Sequence, residues 1–401
     1  MHALTMLHRI LSSRCPTMHA KRLTALLAAV EAAVAGFKLT LSDLGRGLRG
    51  KVAVKHNIKR MDRLLGNTLL HAEMHALYGA LAGECLSGVN TPLIVVDWSD
   101  LTTDRSWQLL RASVALEGRS VTLHEEVHPL KRLMAPSVHK AFLKSLFAML
   151  PPGCLPILVT DAGFRSTWFK LVNRMGGHWI GRIRNRDMVR PKDKDMDENS
   201  WTGCTTLYAR ATATARSLGS YQYVRSNPVS CRLVLIKRAA KGRHKKTCHG
   251  KSARSRHSLK NARTQRDPWL LAVSPGLAYL SAQAVTAIYA QRMQIEESFR
   301  DLKSERFGLG FSANRSTQKA RLAVLLLVAN LASFALRLIG EIARARQMEF
   351  QFQSNTRRSR HVLSVITLGR QLVQHGLAAF SPREFEATLQ RLRCNHAVLG
   401  F

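Results

Sequence analysis

Leu93-Ile94-Val95-Val96-Asp97-Trp98-Ser99-Asp100 is the stretch on which the fold turns. Four apolar residues without a polar interruption mark a short strand buried on both faces, as in sheets covered by helices. The run stops at a carboxylate. The same pattern returns at Leu155-Pro156-Ile157-Leu158-Val159-Thr160-Asp161. Carboxylates that close buried strands sit where open α/β sheets place their sites. Either aspartate alone reads more often as a turn or cap residue. Asp100 and Asp104 lie beyond the strand in a predicted loop and rank below Asp97.

Outward from these two runs, Trp107 to Leu116 and Ser120 to Val127 read as strands joined at Glu117-Gly118-Arg119, a hairpin signal. Val138 to Leu150 is helical and is stopped by Pro151-Pro152-Gly153. Arg165 to Met175 is helical, and His178 to Ile183 is a further strand. Three strands, helix, strand, helix, strand is the order of an RNase H-like core, a mixed α/β fold with helices on the sheet faces. The predicted organisation is a helical DNA-binding domain (1–90), a catalytic core in two parts (91–183 and 276–340), a β-rich basic insertion (184–275) and a helical C-terminal module (341–401). Within the insertion, Leu233 to Ile236 and Trp269 to Val273 read as strands. Between them, Lys237 to Arg266 carries twelve Lys or Arg and no acid.

Charge narrows the function. The chain holds 61 Lys and Arg against 26 Asp and Glu, a formal net charge of +35. Such self-repulsion is tolerable when the normal partner is a polyanion, and nucleic acid leads. A helix over Lys21 to Ala35, a short helix over Leu44 to Leu48 capped by Ser42-Asp43, and a helix over Val54 to Leu65 suggest a helix-turn-helix. On the last of these, Val54, Ile58, Met61 and Leu65 have core spacing, and Lys55, His56, Lys59, Arg60 and Arg63 fill the other faces. An ordinary solvated basic helix has the same pattern. Seven scattered cysteines without a CxxC pair fit reduced thiols rather than a disulfide framework. His244, Cys248 and His249 cluster without a zinc finger's spacing or fourth ligand, and read as part of a basic loop. Met1 to Leu11 lacks the features of an export signal. The apolar run Leu322 to Leu336 is short for a bilayer span and reads as a buried core helix.

The third carboxylate comes from a predicted helix over Val285 to Lys303. At about 100° per residue, Tyr289, Arg292, Glu296 and Lys303 fall within an arc of roughly 60°. Ile288, Ile295, Phe299 and Leu302 form the adjoining apolar stripe. Gln294, Glu297 and Asp301 point away from both, so Glu296 is favoured over Glu297. Considered alone, Glu296 reads by default as an ion-pair partner of Arg292 and Arg300 on a surface helix.

The spacing Tyr289, Arg292, Glu296, Lys303 resembles the YREK signature of bacterial insertion-sequence transposases of the insertion sequence four family. The segments 95–100 and 159–164 resemble the same family, and the likeness runs from about Leu23 to Arg370. It implies a DDE transposase. Asp97, Asp161 and Glu296 would be the catalytic carboxylates and would hold two Mg²⁺ ions, with Mn²⁺ able to substitute. Arg292 and Lys303 would hold phosphates, and Tyr289 would position the backbone through its hydroxyl. It implies cut-and-paste transposition: binding of terminal inverted repeats, nicking, hairpin formation and opening, and joining of 3′-hydroxyl ends to target DNA. It also implies a homodimer cutting in trans, in a bacterial cytoplasm at the nucleoid, without a membrane. Family members with this chemistry stack a flipped base on a tryptophan of the inserted hairpin, and Trp269 matches that position. As a residue type, Trp269 reads equally as core. A non-catalytic DNA-binding regulator and an RNase H-like junction nuclease are the competing functions.

Overall fold

A computed structural model describes residues 2–184, 187–192, 200–239, 251–256, 258–259, 266–357 and 360–394. In chain order the elements are α1 (His2–Arg14), α2 (Ala20–Gly36), α3 (Leu41–Arg46), α4 (Val54–Leu65), α5 (Thr68–Cys85), β1 (Leu93–Asp100), β2 (Trp107–Val114), β3 (Val121–Pro129), α6 (Pro136–Met149), β4 (Ile157–Thr160), α7 (Ser166–Arg174), β5 (His178–Ile183), β6 (Met188–Pro191), β7 (Thr202–Gly203), β8 (Arg216–Tyr223), β9 (Val229–Ile236), β10 (Trp269–Val273), α8 (Ala282–Ala290), α9 (Met293–Lys303), α10 (Lys319–Ala345), α11 (Val365–Gln374) and α12 (Pro382–Cys394). The order from β1 to β5 is that of an RNase H-like α/β core. The chain forms two compact units, one running to Cys154 and resuming at Met293, the other spanning Leu155–Arg292.

The first unit is built on the antiparallel meander β1-β2-β3 and on α10. Asp97 pairs with Arg111 across β1 and β2, and Asp100 with Gln108. The strand therefore continues past Asp97. The expectation that Asp97 closes it is corrected: pairing with β2 carries Trp98, Ser99 and Asp100 into strand geometry. Gly118 makes the β2–β3 turn at φ +75°, a conformation that suits glycine. Helix α10 is 27 residues long and nearly continuously apolar, with Leu322 to Leu336 inside it. Among the described residues it is the helix long and apolar enough to cross a bilayer, yet 89% of its apolar window is buried. It packs on α1, α2, α4, α5, α11, α12 and β3, as a core helix does.

The amino-terminal helices depart from expectation in detail. Thr40, not Ser42-Asp43, caps α3, accepting from the Asp43 amide through its hydroxyl. A Cβ on Gly45 would come within 2.6 Å of the Ile58 backbone, so this glycine lets α3 and α4 touch. On α4, Asn57, Met61, Leu64 and Leu65 are buried, whereas Val54, assigned to the core by its spacing, is 50% exposed.

The second unit orders its strands β4-β5-β10-β9-β8-β6-β7. β4 and β5 are parallel, and β10 joins β5 and β9 antiparallel. The predicted strand Trp269–Val273 forms as read. Of the basic run 237–266, residues 240–250, 257 and 260–265 lie outside the described residues, and with them His244, Cys248 and His249. The single helix expected over Val285 to Lys303 is instead two, α8 and α9. At the junction the amides of Gln291 and Arg292 bond the carbonyls three residues back, Ile288 and Tyr289. This tightening ends α8 without glycine or proline.

Candidate active site

Asp97 and Glu296 stand on elements that pack together in the first unit. Asp97 and Ser99 share one face of β1 by strand alternation, and Lys303 Nζ donates to Ser99 Oγ at 2.6 Å. Helix α9 lies against β1. Glu296 and Lys303 are seven residues apart on α9 and so share its face. Arg111, opposite Asp97, is buried, pairs with Glu125 at 2.6 Å and sets its guanidinium 4.9 Å from the centre of the Phe299 ring on α9. Burial, and the charge of Arg111 after it, lower the Lys303 pKa. Asp97 is 9% exposed, and its Oδ1 accepts from the Trp98 amide at 2.8 Å. Glu296 occupies the first turn of α9, where the helix dipole favours a carboxylate.

The other polar residues of α9 have a different task. Asp301 is buried and accepts from Arg119 Nε at 2.7 Å, with Glu297 3.6 Å from the same guanidinium. Gln294 is buried and accepts from the Leu116 amide at 3.0 Å, and Ser298 Oγ lies 2.9 Å from Ser120 Oγ. Together they clamp α9 to the β2–β3 turn. Nothing local in the sequence marks them, because Arg119 and Asp301 are 182 residues apart.

In the second unit Asp161 directly follows β4. Its Oδ1 accepts from the Gly163 amide at 2.8 Å, a turn that fixes the carboxylate beyond the buried Thr160. Tyr289 is 4% exposed, and burial raises its phenol pKa, with Arg292 and Arg182 pulling it back. Trp269 is half-buried. Its ring meets that of Tyr289 edge-on at 4.9 Å, and the Arg238 guanidinium sits 4.6 Å from its centre. Because α8 ends before Arg292, Tyr289 and Arg292 belong to the second unit, and Glu296 and Lys303 to the first. The single continuous helix expected to carry all four is not formed.

The family model described as Transposase DDE domain matches residues 90–334, more than half of the chain. The chain belongs to the DDE transposases. A search of curated proteins returns no match. The transposase is thus a DNA-binding enzyme that cuts and transfers strands, and enzymes of this kind generally use divalent metal ions. The matched span contains Asp97, Asp161 and Glu296. Three carboxylates are the hard oxygen donors such a cation takes. Among the described residues, no three His, Cys, Asp or Glu gather closely enough to hold a metal ion. In the amino-terminal part of the transposase, Lys55, Lys59, Arg60 and Arg63 are all exposed on α4. Lys59 pairs with Asp62 at 3.1 Å, and Arg60 donates to Asn57 at 3.4 Å.

Proposed function

We propose that this protein is a cut-and-paste transposase of the insertion sequence four type, with Asp97, Asp161 and Glu296 as its catalytic carboxylates. The observation that carries the reading is the division of labour on α9: Glu297 and Asp301 are committed to Arg119, while Glu296 shares a face with Lys303, which is tied to the Asp97 face of β1. Bound by these carboxylates, Mg²⁺, or Mn²⁺ in its place, would stabilise charge on the attacking and leaving oxygens. Lys303 and Arg292 hold DNA phosphates, and Tyr289 acts through its hydroxyl beside Arg292. Trp269 offers a ring for an unstacked base, and the exposed cations of α4 bind the terminal repeats. The insertion sequence four resemblance supports a hairpin intermediate and a dimer cutting in trans.

The test is nicking and joining of a duplex carrying the inverted repeats that flank the coding region, with a random duplex as control. Asp97→Asn, Asp161→Asn and Glu296→Gln are each expected to abolish cleavage and joining while binding the repeats, since an amide holds a hard cation poorly. Glu297→Gln is expected to cut. A Glu296→Gln enzyme that cuts normally beside an inactive Glu297→Gln enzyme overturns the assignment. Cation-dependent cutting of branched junctions in preference to repeats points to a junction nuclease, and binding without cutting to a regulator.

A further inference from the structure

The tip formed by Val52, Ala53 and Val54 has no place in the core. Val52 is 49% and Val54 50% exposed, and Ala53 is exposed between them. Val54 is seven and eleven residues before Met61 and Leu65, so all three lie on one side of α4. Met61 and Leu65 are each 1% exposed. The same side of one helix is therefore core along its later turns and open at its first. The cause is the shortness of α3, which spans only Leu41–Arg46 and meets α4 at Ile58. The first turn of α4 projects beyond that support. It is bracketed by exposed Lys51, Lys55 and His56, and Lys59, Arg60 and Arg63 continue the exposed positive charge along the helix.

We propose that Val52 and Val54 are specificity-determining residues that read thymine 5-methyl groups in the major groove of the terminal repeat. An apolar tip ringed by cations is complementary to that groove, where the phosphates are negative and the thymine methyl is the apolar feature on the base edges. In helix-turn-helix proteins the amino-terminal residues of the second helix meet the bases. The cations of α4 supply attraction that any sequence satisfies, whereas a valine methyl distinguishes thymine from the other bases. The inference rests on α4 being the DNA-facing helix.

The experiment copies the DNA flanking the coding region as two duplexes, one with thymidine and one with deoxyuridine, which lacks only the methyl group. The unsubstituted protein is expected to bind the deoxyuridine duplex more weakly, by about fourfold for each methyl buried. Val52→Ala/Val54→Ala is expected to keep the fold, bind the thymidine duplex more weakly by a similar factor, and bind both duplexes alike. Equal binding of the two duplexes by the unsubstituted protein overturns the proposal, as does a double variant that keeps the full preference for thymidine. So does a double variant that binds DNA normally but sediments as a smaller species, because the tip is then a contact between copies. Neutralising Lys55, Lys59, Arg60 and Arg63 separates the two levels. If that variant binds the repeat normally, α4 does not face DNA and both ideas fall. If it binds weakly while the two unmodified-protein affinities are equal, only the methyl reading falls.

Discussion

His139 shows how one buried ring ties the protein's stability to pH. Burial, with the charge of His128 after it, holds its pKa down at about 4, against an ordinary value of 6.5. Neutral, its Nε2 accepts from the Trp98 indole N–H at 3.1 Å, one residue from Asp97. The unfolded chain takes up this proton near pH 6.5, and the folded protein resists it until about 4. The contribution is therefore complete above pH 6.5 and lost as pH falls to 4, on the order of 2–4 kcal/mol. Glu126 extends the loss in acid. Burial would raise its pKa, but hydrogen bonds from His124 and His128 hold it at about 2, so its contribution, full above the ordinary carboxylate range, falls away as pH drops toward 2. Urea unfolding at pH 7 and pH 4.5 measures the slope, and His139→Gln should flatten it; an unchanged slope overturns the account. Trp269 is the second test at this scale. Trp269→Ala should still make the first nick but form hairpins poorly, since base stacking contributes about 1–3 kcal/mol. An abasic site at the unstacked position should partly restore hairpins. A variant that loses nicking and hairpins equally, without rescue, marks Trp269 as core. The candidate carboxylates stand out in the sequence because acids are scarce in this chain and two of them stand at the ends of short apolar runs. The tasks of Gln294 and Asp301 do not, because burial against a turn distant in the chain leaves no local pattern.

The β2–β3 turn is held from two sides, by Glu297 and Asp301 of α9 through Arg119 and by Arg337 of α10. Arg337 is 1% exposed, donates to the Arg119 carbonyl at 2.7 Å and the Glu117 carbonyl at 3.4 Å, and pairs with Glu341 at 3.1 Å. Replacing it with methionine fills the space but removes both donors from the turn and leaves Glu341 without its partner. Arg337→Met is expected to cost about 2–4 kcal/mol in urea unfolding. A loss below about 0.5 kcal/mol, the range of ordinary surface changes, would show that the turn stands without it. At this scale periodicity served well where one element packs as a unit: α4, β5 and β10 begin and end where their patterns do. It failed where tertiary contact overrides local sequence. The α8–α9 break carries no glycine or proline, so a helical pattern runs through it unmarked. β1 gains Trp98, Ser99 and Asp100 only because β2 continues to pair with them. Val54 has core spacing and no core to enter, because α3 stops short.

With a net charge of +35, much of the DNA affinity of the whole molecule should come from phosphate contacts and released counterions. Repeat binding is therefore expected to fall steeply and linearly on a plot of log affinity against log salt. Neutralising Lys55, Lys59, Arg60 and Arg63 should make that slope shallower by about one for each phosphate contact removed. An unchanged slope would place the contacts elsewhere. An equal loss on random DNA would show that these four supply charge rather than recognition. The burial of α10 beneath α1, α2, α4 and α5 also bears on when the molecule comes into being. Those four helices are made first, yet the surface on which they close begins at Lys319. At the usual pace of synthesis the interval is on the order of tens of seconds. During it the newborn amino-terminal helices leave the ribosome with their apolar sides open. They gain their cover only once α10 has been made, so the apolar faces that hold the amino-terminal helices together are completed late in the order of synthesis.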